Sequence, residues 1–163
     1  IDEVGRRLAR ALEGMVAQPP AVVHGDYSFN NTMWRRDRPA RMRAVLDWEM
    51  STVGDPLTDL GMLLTYWGPV GDLMWRRRAT PPAHRGNPGF PAGDALVERY
   101  AATSGRDLDG LGFYLVLATY KLAVISEGAV ARRSAAEPDQ AAGLVTTVDE
   151  LAATALDLAE RGP

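Results

Sequence analysis

Side chains able to do chemistry are concentrated in one stretch of this chain: His24-Gly25-Asp26, then Asn31, then Asp47-Trp48-Glu49, then Gly54-Asp55-Pro56 with Asp59. Asp26 and Asp47 lie 21 positions apart, and a hairpin between them would return the chain to its starting region. Asp26, Asn31 and Asp47 can therefore converge. Oxygen ligands with few nitrogen or sulfur partners suit a hard cation such as Mg²⁺, which takes one or two carboxylates plus waters and phosphate oxygens. An uncoordinated Asp beside it could accept a proton from a hydroxyl nucleophile. The set is complete for phosphorylating a hydroxyl, provided a nucleotide is held. Plainer readings compete. Asp26 and Asn31 are residue types that populate ordinary turns. Asp26 with Asp47 could be a glycosidase carboxylate pair, but that chemistry needs neither Asn31 nor the Gly-Asp-Pro segment.

The stretch His24-Gly25-Asp26-Tyr27-Ser28-Phe29-Asn30-Asn31 resembles the catalytic loop of aminoglycoside-phosphotransferase-like kinases, a variant of the protein-kinase H-R-D-x-x-x-x-N loop. Val45-Leu46-Asp47-Trp48-Glu49 is similar to their metal-binding segment, and Gly54-Asp55-Pro56-Leu57-Thr58-Asp59-Leu60 to their G-D-P-x-x-D-L signature. Through Tyr66-Trp67, Tyr100 to Leu108 and Phe113 to Arg132 the chain resembles the branch of kinase domains fused to acyl-CoA dehydrogenases. The resemblance implies Mg²⁺-dependent transfer of the ATP γ-phosphate to a hydroxyl of a small molecule, hydroxyacyl-CoA-like or aminoglycoside-like. By it, Asp26 is the catalytic base, and Asn31 and Asp47 bind the metal bridging the phosphates. His24, Asp55 and Asp59 support the site: a packed histidine, a helix cap and a hydrogen-bond acceptor for the loop backbone. Glu49 receives no role. The alternative is a non-catalytic kinase-like binding module working with a partner. Its mark would be loss of the metal ligands, and all are present.

The resemblance also implies a glycine-rich cover over the phosphates and a strand lysine. Only 23 residues precede His24, too few for such a lobe, and the one lysine, Lys121, falls far downstream. Lys121 is expected to pack its stem and keep its head in solvent. With Ile at position 1, the expectation is a C-terminal kinase-like lobe without its ATP lobe, half of a longer enzyme and inactive alone. Its partners would be the hydroxyl substrate and the missing lobe of the same protein. The surface meant for that lobe should be apolar and favour self-association.

The elements that must position these residues read as mainly α with a small β-hairpin, in one domain. Ile1 to Gln18 forms an amphipathic helix capped by Asp2, with Val4, Leu8, Leu12 and Met15 as its stripe, and stopped at Pro19-Pro20. Ala21 to His24 is a short apolar run ending in a glycine turn. Asn31–Trp34 and Met42–Trp48 pair as strands across the turn Arg35-Arg36-Asp37-Arg38-Pro39. A helix follows Gly54, with Asp55 as N-cap, Pro56 in its first position and Leu57, Leu60, Leu64 and Trp67 buried. Residues 68–93 are a long surface segment with a short helix near Met74. Helices over about 94–104, 109–133 and 138–160 complete a bundle. The second is central, with Leu111, Leu115, Ala118, Leu122, Ile125 and Ala129 on one face; the third buries Leu144, Val148, Leu151, Ala155 and Leu158. The parts are thus a catalytic loop (22–34), a metal segment (43–49), a substrate-side loop (68–93) and a helical bundle (94–161).

Composition narrows the rest. Apolar residues are 46% and charged residues 24% of 163, as in an ordinary globular domain. The net charge of −3 gives no reason to expect nucleic acid, and the short arginine clusters read as solvated faces. With no cysteine, disulfides and thiolate sites are excluded. No uninterrupted apolar run approaches the ~20 residues of a membrane span, and no signal pattern opens the chain. A cytoplasmic location is the expectation. Arg76, Arg77, Arg78 and Arg85 outnumber Asp72 and Asp94 around the substrate-side loop, which leans towards an anionic acceptor such as a CoA ester.

Overall fold

The computed structural model describes residues 1–16, 18–37, 41–76, 82, 84–134 and 138–161. Six helices and two short antiparallel ribbons make up the described chain. Helix α1 (Asp2–Glu13) begins directly after Ile1. Asp2 therefore sits in the first turn with Glu3, where negative charge offsets the positive end of the helix dipole, and does not cap it. The helix ends at Gly14, well before Pro19-Pro20, in a tightened turn in which the Gly14 amide donates to the carbonyl of Ala11. Val4 and Leu8 are buried, but Leu12 beyond them is exposed.

Strand β1 (Ala21–Val23) pairs with β4 (Thr52–Gly54), a ribbon the sequence pattern did not announce. Between them lies the expected hairpin, β2 (Thr32–Trp34) with β3 (Met42–Val45), shorter than the apolar runs suggest. Trp48 falls instead in a 3₁₀ turn, Trp48–Met50. Thr32 faces Val45 in register, so the hairpin returns the chain to where it left. The turn residues Arg38 and Pro39 lie outside the described residues.

Helix α2 (Leu57–Trp67) and short α3 (Pro69–Trp75) follow, then α4 (Gly93–Ser104), closed by Gly105 in the left-handed conformation. Helices α5 (Leu111–Arg133) and α6 (Pro138–Glu160) pack extensively on each other. Helix α5 is central, touching α1, α2 and α6. Its buried face runs through Phe113, Val116, Ala118, Thr119, Leu122, Ala123 and Ser126, so the expected placement of Ile125 in the core is corrected: Ile125 is exposed. Over its most apolar 18 residues the mean hydropathy is 1.4, enough by length and composition for a bilayer span. That departs from the sequence expectation, because Thr119, Lys121, Ser126 and Glu127 interrupt the apolar run while its average stays high. In this fold the helix is the core of the bundle, with Thr119 bonding back to the carbonyl of Leu115 at 2.8 Å.

The core has two parts. One joins Val4 and Leu8 of α1 with Leu57 and Leu60 of α2, Phe113 and Val116 of α5 and Ala155 of α6. The other joins Met62, Val70, Ala118, Leu122 and Leu151. Gly61 lets α2 approach α5, since a Cβ there would stand 2.7 Å from the carbonyl oxygen of Tyr114. An aromatic group holds His84 and Phe90 against Phe29 and Trp67. His84 stacks on Trp67 at 4.3 Å and 7°, and Phe90 meets Phe29 edge-on at 5.2 Å.

Candidate active site

Strand β1 delivers the chain to a sharp turn at His24-Gly25-Asp26. Gly25 has φ +83°, and a Cβ there would collide with the carbonyl oxygen of Met50; only glycine fits. The turn is held from beneath by Asp59 of α2. One carboxylate oxygen accepts the His24 amide at 2.7 Å and the other the Gly25 amide at 2.9 Å. Both are charge-assisted bonds to backbone.

The His24 ring is buried and bridges two segments. Its Nδ1 accepts the Asp26 amide at 3.3 Å, which leaves Nε2–H to donate to the carbonyl of Leu46 at 2.7 Å. Trp48 leans on the ring at 4.8 Å. His24 thus ties the first loop to the segment holding Asp47. Asn31 does the same from the other side. Its Nδ2 donates to the Asp26 carbonyl at 2.9 Å, and its own carbonyl accepts the Leu46 amide at 2.8 Å. With the nitrogen committed, the Asn31 side-chain oxygen is left without a hydrogen bond among the described residues.

Asp47 is exposed and takes a left-handed backbone, φ 66° and ψ 56°, the one non-glycine residue with positive φ among those described. Asp tolerates this region better than most residues, and the twist turns the chain off strand β3 into the 48–50 turn. Among the described residues no hydrogen bond engages its carboxylate, nor that of the neighbouring Glu49. Asp55 caps α2 in function, though regular helix begins only at Leu57. It accepts the Leu57 amide at 2.9 Å, and the Gln18 amide approaches its other oxygen at 3.4 Å. Burial, reinforced by a hydrogen bond to Asp55, pushes the Tyr114 hydroxyl far above its ordinary range. Burial first and then the charge of Asp59 also raise Tyr27. Both phenols stay protonated at neutral pH.

Two residues reach the site that sequence reasoning did not assign to it. Tyr66 donates its hydroxyl to Asp26 Oδ1 at 3.2 Å, orienting that carboxylate and leaving Oδ2 without a hydrogen bond among the described residues. The signal was available: Tyr66 follows Asp59 by seven positions, so the two share a helix face. Lys121, expected in solvent, donates its ammonium to the carbonyl of Gly25. As the one lysine on an apolar central helix, it too was conspicuous. The arginines move the other way. Arg76 pairs with Glu150 of α6; Arg85 pairs with Asp72 and donates to the carbonyls of Trp67 and Gly68 at 3.2 and 2.9 Å. Both are occupied within the fold, which removes half of the charge argument for an anionic acceptor; Arg77 and Arg78 lie outside the described residues.

No group of three or more His, Cys, Asp or Glu able to hold a metal exists among the described residues. Among the described residues of this site the donors without a hydrogen bond are the carboxylates of Asp47 and Glu49, one oxygen of Asp26 and the amide oxygen of Asn31. So sparse an oxygen set suits Mg²⁺ carried in on phosphate oxygens better than a resident structural ion.

The mostly helical fold with two short ribbons around this site resembles that of the aminoglycoside phosphotransferases. The model of the phosphotransferase enzyme family (APH) matches residues 1–114, and the chain belongs to that family. It is 37% identical over 145 residues to acyl-CoA dehydrogenase family member 11 of Mus musculus, covering 86% of this chain and 18% of that protein. It is also 36% identical over 67 residues to viomycin phosphotransferase of Streptomyces vinaceus, covering 40% of this chain. A crystal structure from Ralstonia eutropha, assigned to the aminoglycoside phosphotransferases, superposes with a TM-score of 0.72 at 26% identity, over 98% of this chain and 48% of that one. The chain thus spans less than a fifth of the mouse relative and about half of the solved neighbour. These relations support small-molecule phosphoryl transfer of the kinase type.

Proposed function

We propose that this chain is the C-terminal, catalytic lobe of a kinase-like enzyme that transfers the ATP γ-phosphate to a hydroxyl of a small molecule, hydroxyacyl-CoA-like or aminoglycoside-like. The observation that carries the reading is the joint state of Asp26 and Asp47. One carboxylate is oriented by Tyr66 with an oxygen to spare, and the other is exposed and uncommitted. They stand on loops tied together through His24 and Asn31. Asp26 is the base: its free oxygen takes the proton of the acceptor's hydroxyl as the hydroxyl oxygen bonds to the γ-phosphorus and the bond from that phosphorus to the ADP oxygen breaks. Asn31 and Asp47 would hold Mg²⁺, which would supply neutralisation of phosphate charge. His24, Asp55 and Asp59 keep the loops in register.

Half of the solved neighbour has no counterpart in this chain, which supports a nucleotide-binding lobe supplied by the rest of the same protein; a cytoplasmic location is part of the same proposal. Phosphoryl transfer depends mainly on positioning and charge stabilisation, so the isolated chain is expected to show no ATP-dependent transfer. The test is radiolabelled ATP with the longer polypeptide bearing this sequence and a panel of hydroxylated acyl-CoA esters and aminoglycosides. Transfer should occur and fall at least about 1,000-fold in Asp26→Asn. Transfer that survives that substitution sinks the assignment of the base. A polypeptide inert towards the whole panel and towards Mg·ATP favours the second reading, a partner-binding module.

A further inference from the structure

Both backbone polar groups of Gly25 are held by ionised side chains of opposite sign. Its amide donates to Asp59 Oδ1 of α2 at 2.9 Å, and its carbonyl accepts the ammonium of Lys121 from α5. Gly25 is buried, and among the described residues no other donor reaches that carbonyl. The carbonyl belongs to the peptide unit that carries the Asp26 amide. A trans peptide is planar, with C=O and N–H pointing to opposite sides, so a hold on each end fixes the plane. The hold on the amide end is slight, a long bond of 3.3 Å to His24 Nδ1. The hold on the carbonyl end is charge-assisted, roughly twice as strong as a neutral bond. From that plane outward Asp26 is set by its neighbours. Its carbonyl accepts Asn31 Nδ2 at 2.9 Å and its Oδ1 the Tyr66 hydroxyl at 3.2 Å. Neither of them holds the peptide that enters the residue.

An amide or hydroxyl would satisfy the Gly25 carbonyl with less desolvation than an ammonium. Yet the single lysine of the sequence stands here, on the apolar central helix. Its stem lines a groove of about 330 Å³ between α2 and α5, beside Thr58, Met62 and Leu117. Removing the stem therefore opens space at the groove and leaves the packed core untouched. We propose that Lys121 is a positioning residue for the base: through the Gly25 carbonyl it sets the plane of the Gly25–Asp26 peptide, and with it the direction of the free Asp26 oxygen. Its effect on turnover rests on the phosphotransferase reading; its effect on the peptide rests on the loop geometry alone. Lys121 itself touches no reacting atom. A misplacement of about 1 Å at a reacting group costs on the order of 100-fold in rate, and that is the scale on which a released peptide plane acts.

In the longer polypeptide bearing this sequence, Lys121→Met should lower kcat about 100-fold and leave KM for ATP within about twofold. Lys121→Ala should behave alike and regain activity with propylammonium, which replaces the deleted stem and its charge in the groove. Propanol, of the same length but uncharged, should not restore it; a lysine that merely filled space would respond to both. The isolated chain reads the same contact without turnover. In Lys121→Met the Asp26 amide should exchange with deuterium at least about tenfold faster, while the amides of ribbon β1–β4 keep their rates. Where Lys121→Met fails to fold, Lys121→Gln, a shorter neutral side chain that suits a helix, takes its place under the same criteria. Turnover unchanged by loss of the lysine overturns the proposal, as does equal rescue by propanol, or a rise in KM with kcat intact. If the longer polypeptide transfers no phosphate with Lys121 in place, the phosphotransferase reading falls and exchange alone decides: a faster Asp26 amide upholds the clamp, and an unchanged one overturns it.

Discussion

Asp59 carries more of the site's geometry than any residue that would touch substrate. Its two oxygens accept consecutive amides, His24 and Gly25, in a turn that glycine alone can make. Removing it leaves two donors without their acceptor at the most crowded point of the loop. Hydrogen bonds to charged groups contribute about 1.5–3 kcal/mol each. Asp59→Ala should therefore cost about 3 kcal/mol, lowering Tm by roughly 6–12 °C in a chain of this length. A loss below about 1 kcal/mol in thermal unfolding would mean the turn is held by its own sterics. The contrast with Tyr66 and Lys121 explains what the sequence discloses at this scale. Asp26, Asn31, Asp47 and Asp59 are readable because a short ordered spacing joins them, and one hairpin suffices to bring them together. Tyr66 meets Asp26 across 40 positions and Lys121 meets Gly25 across 96. Those contacts depend on how α2 and α5 pack, which no local spacing encodes.

At the scale of elements, α2 is the hinge between site and core: Asp59 and Tyr66 face the loops while Gly61 sits against α5. A methyl at position 61 would press on the Tyr114 carbonyl at 2.7 Å, within van der Waals radii. Gly61→Ala is expected to destabilise by about 1–3 kcal/mol through overpacking, despite alanine's better helix propensity. A neutral or stabilising result in urea unfolding would show that the two helices can slide apart freely. The aromatic group around His84 offers a pH test. Burial first, and the charge of Arg85 second, hold the His84 imidazole below the usual histidine range. The unfolded chain, with a histidine pKa near ~6.5, therefore binds the proton first as pH falls. Stability is fully present above about pH 6.5 and is lost as pH falls from there through the lower folded value. Urea midpoints should drop between pH 7.5 and 5, and His84→Gln should flatten that drop; an equal drop in both proteins would place the sensitivity elsewhere. Helices α2, α4, α5 and α6 were legible because 3.6-residue periodicity, Gly105 and the Asp55-Pro56 start mark them. Ribbon β1–β4 was not. Three-residue strands paired across about thirty positions leave no alternation long enough to read, so Ala21 to His24 reads only as a short apolar run and Gly54 only as the residue before a helix.

At the scale of the whole molecule, large apolar side chains are exposed on both ribbons and on the segment around Asp47. In ribbon β1–β4, Val22 and Val53 are cross-strand partners, 70% and 69% exposed, while Val23 turns inward. Met33 and Met42 on the hairpin, and Leu46, Trp48 and Met50 on the segment around Asp47, are each more than two-fifths exposed. A two-stranded ribbon is marginal by itself, and the directly paired Val22 and Val53 give ribbon β1–β4 an apolar outer side of the kind that favours interaction. The same exposure follows if half of the fold, as judged by the solved neighbour, is contributed by other residues. The isolated chain should then associate through this face, with the weight-average mass rising above 17.7 kDa in sedimentation equilibrium as concentration increases. Replacing Val22 by Glu together with Val53 by Lys sets opposite charges directly across the ribbon, a pairing that sheets accept, while removing the apolar pair. The double variant should keep the fold and remain monomeric over the same range. If the unaltered chain is monomeric throughout, the apolar face is not sticky enough to matter without its partner. If both proteins associate equally, the contact lies away from the ribbon, and the exposed Val124–Ile125 edge of α5 becomes the surface to change next.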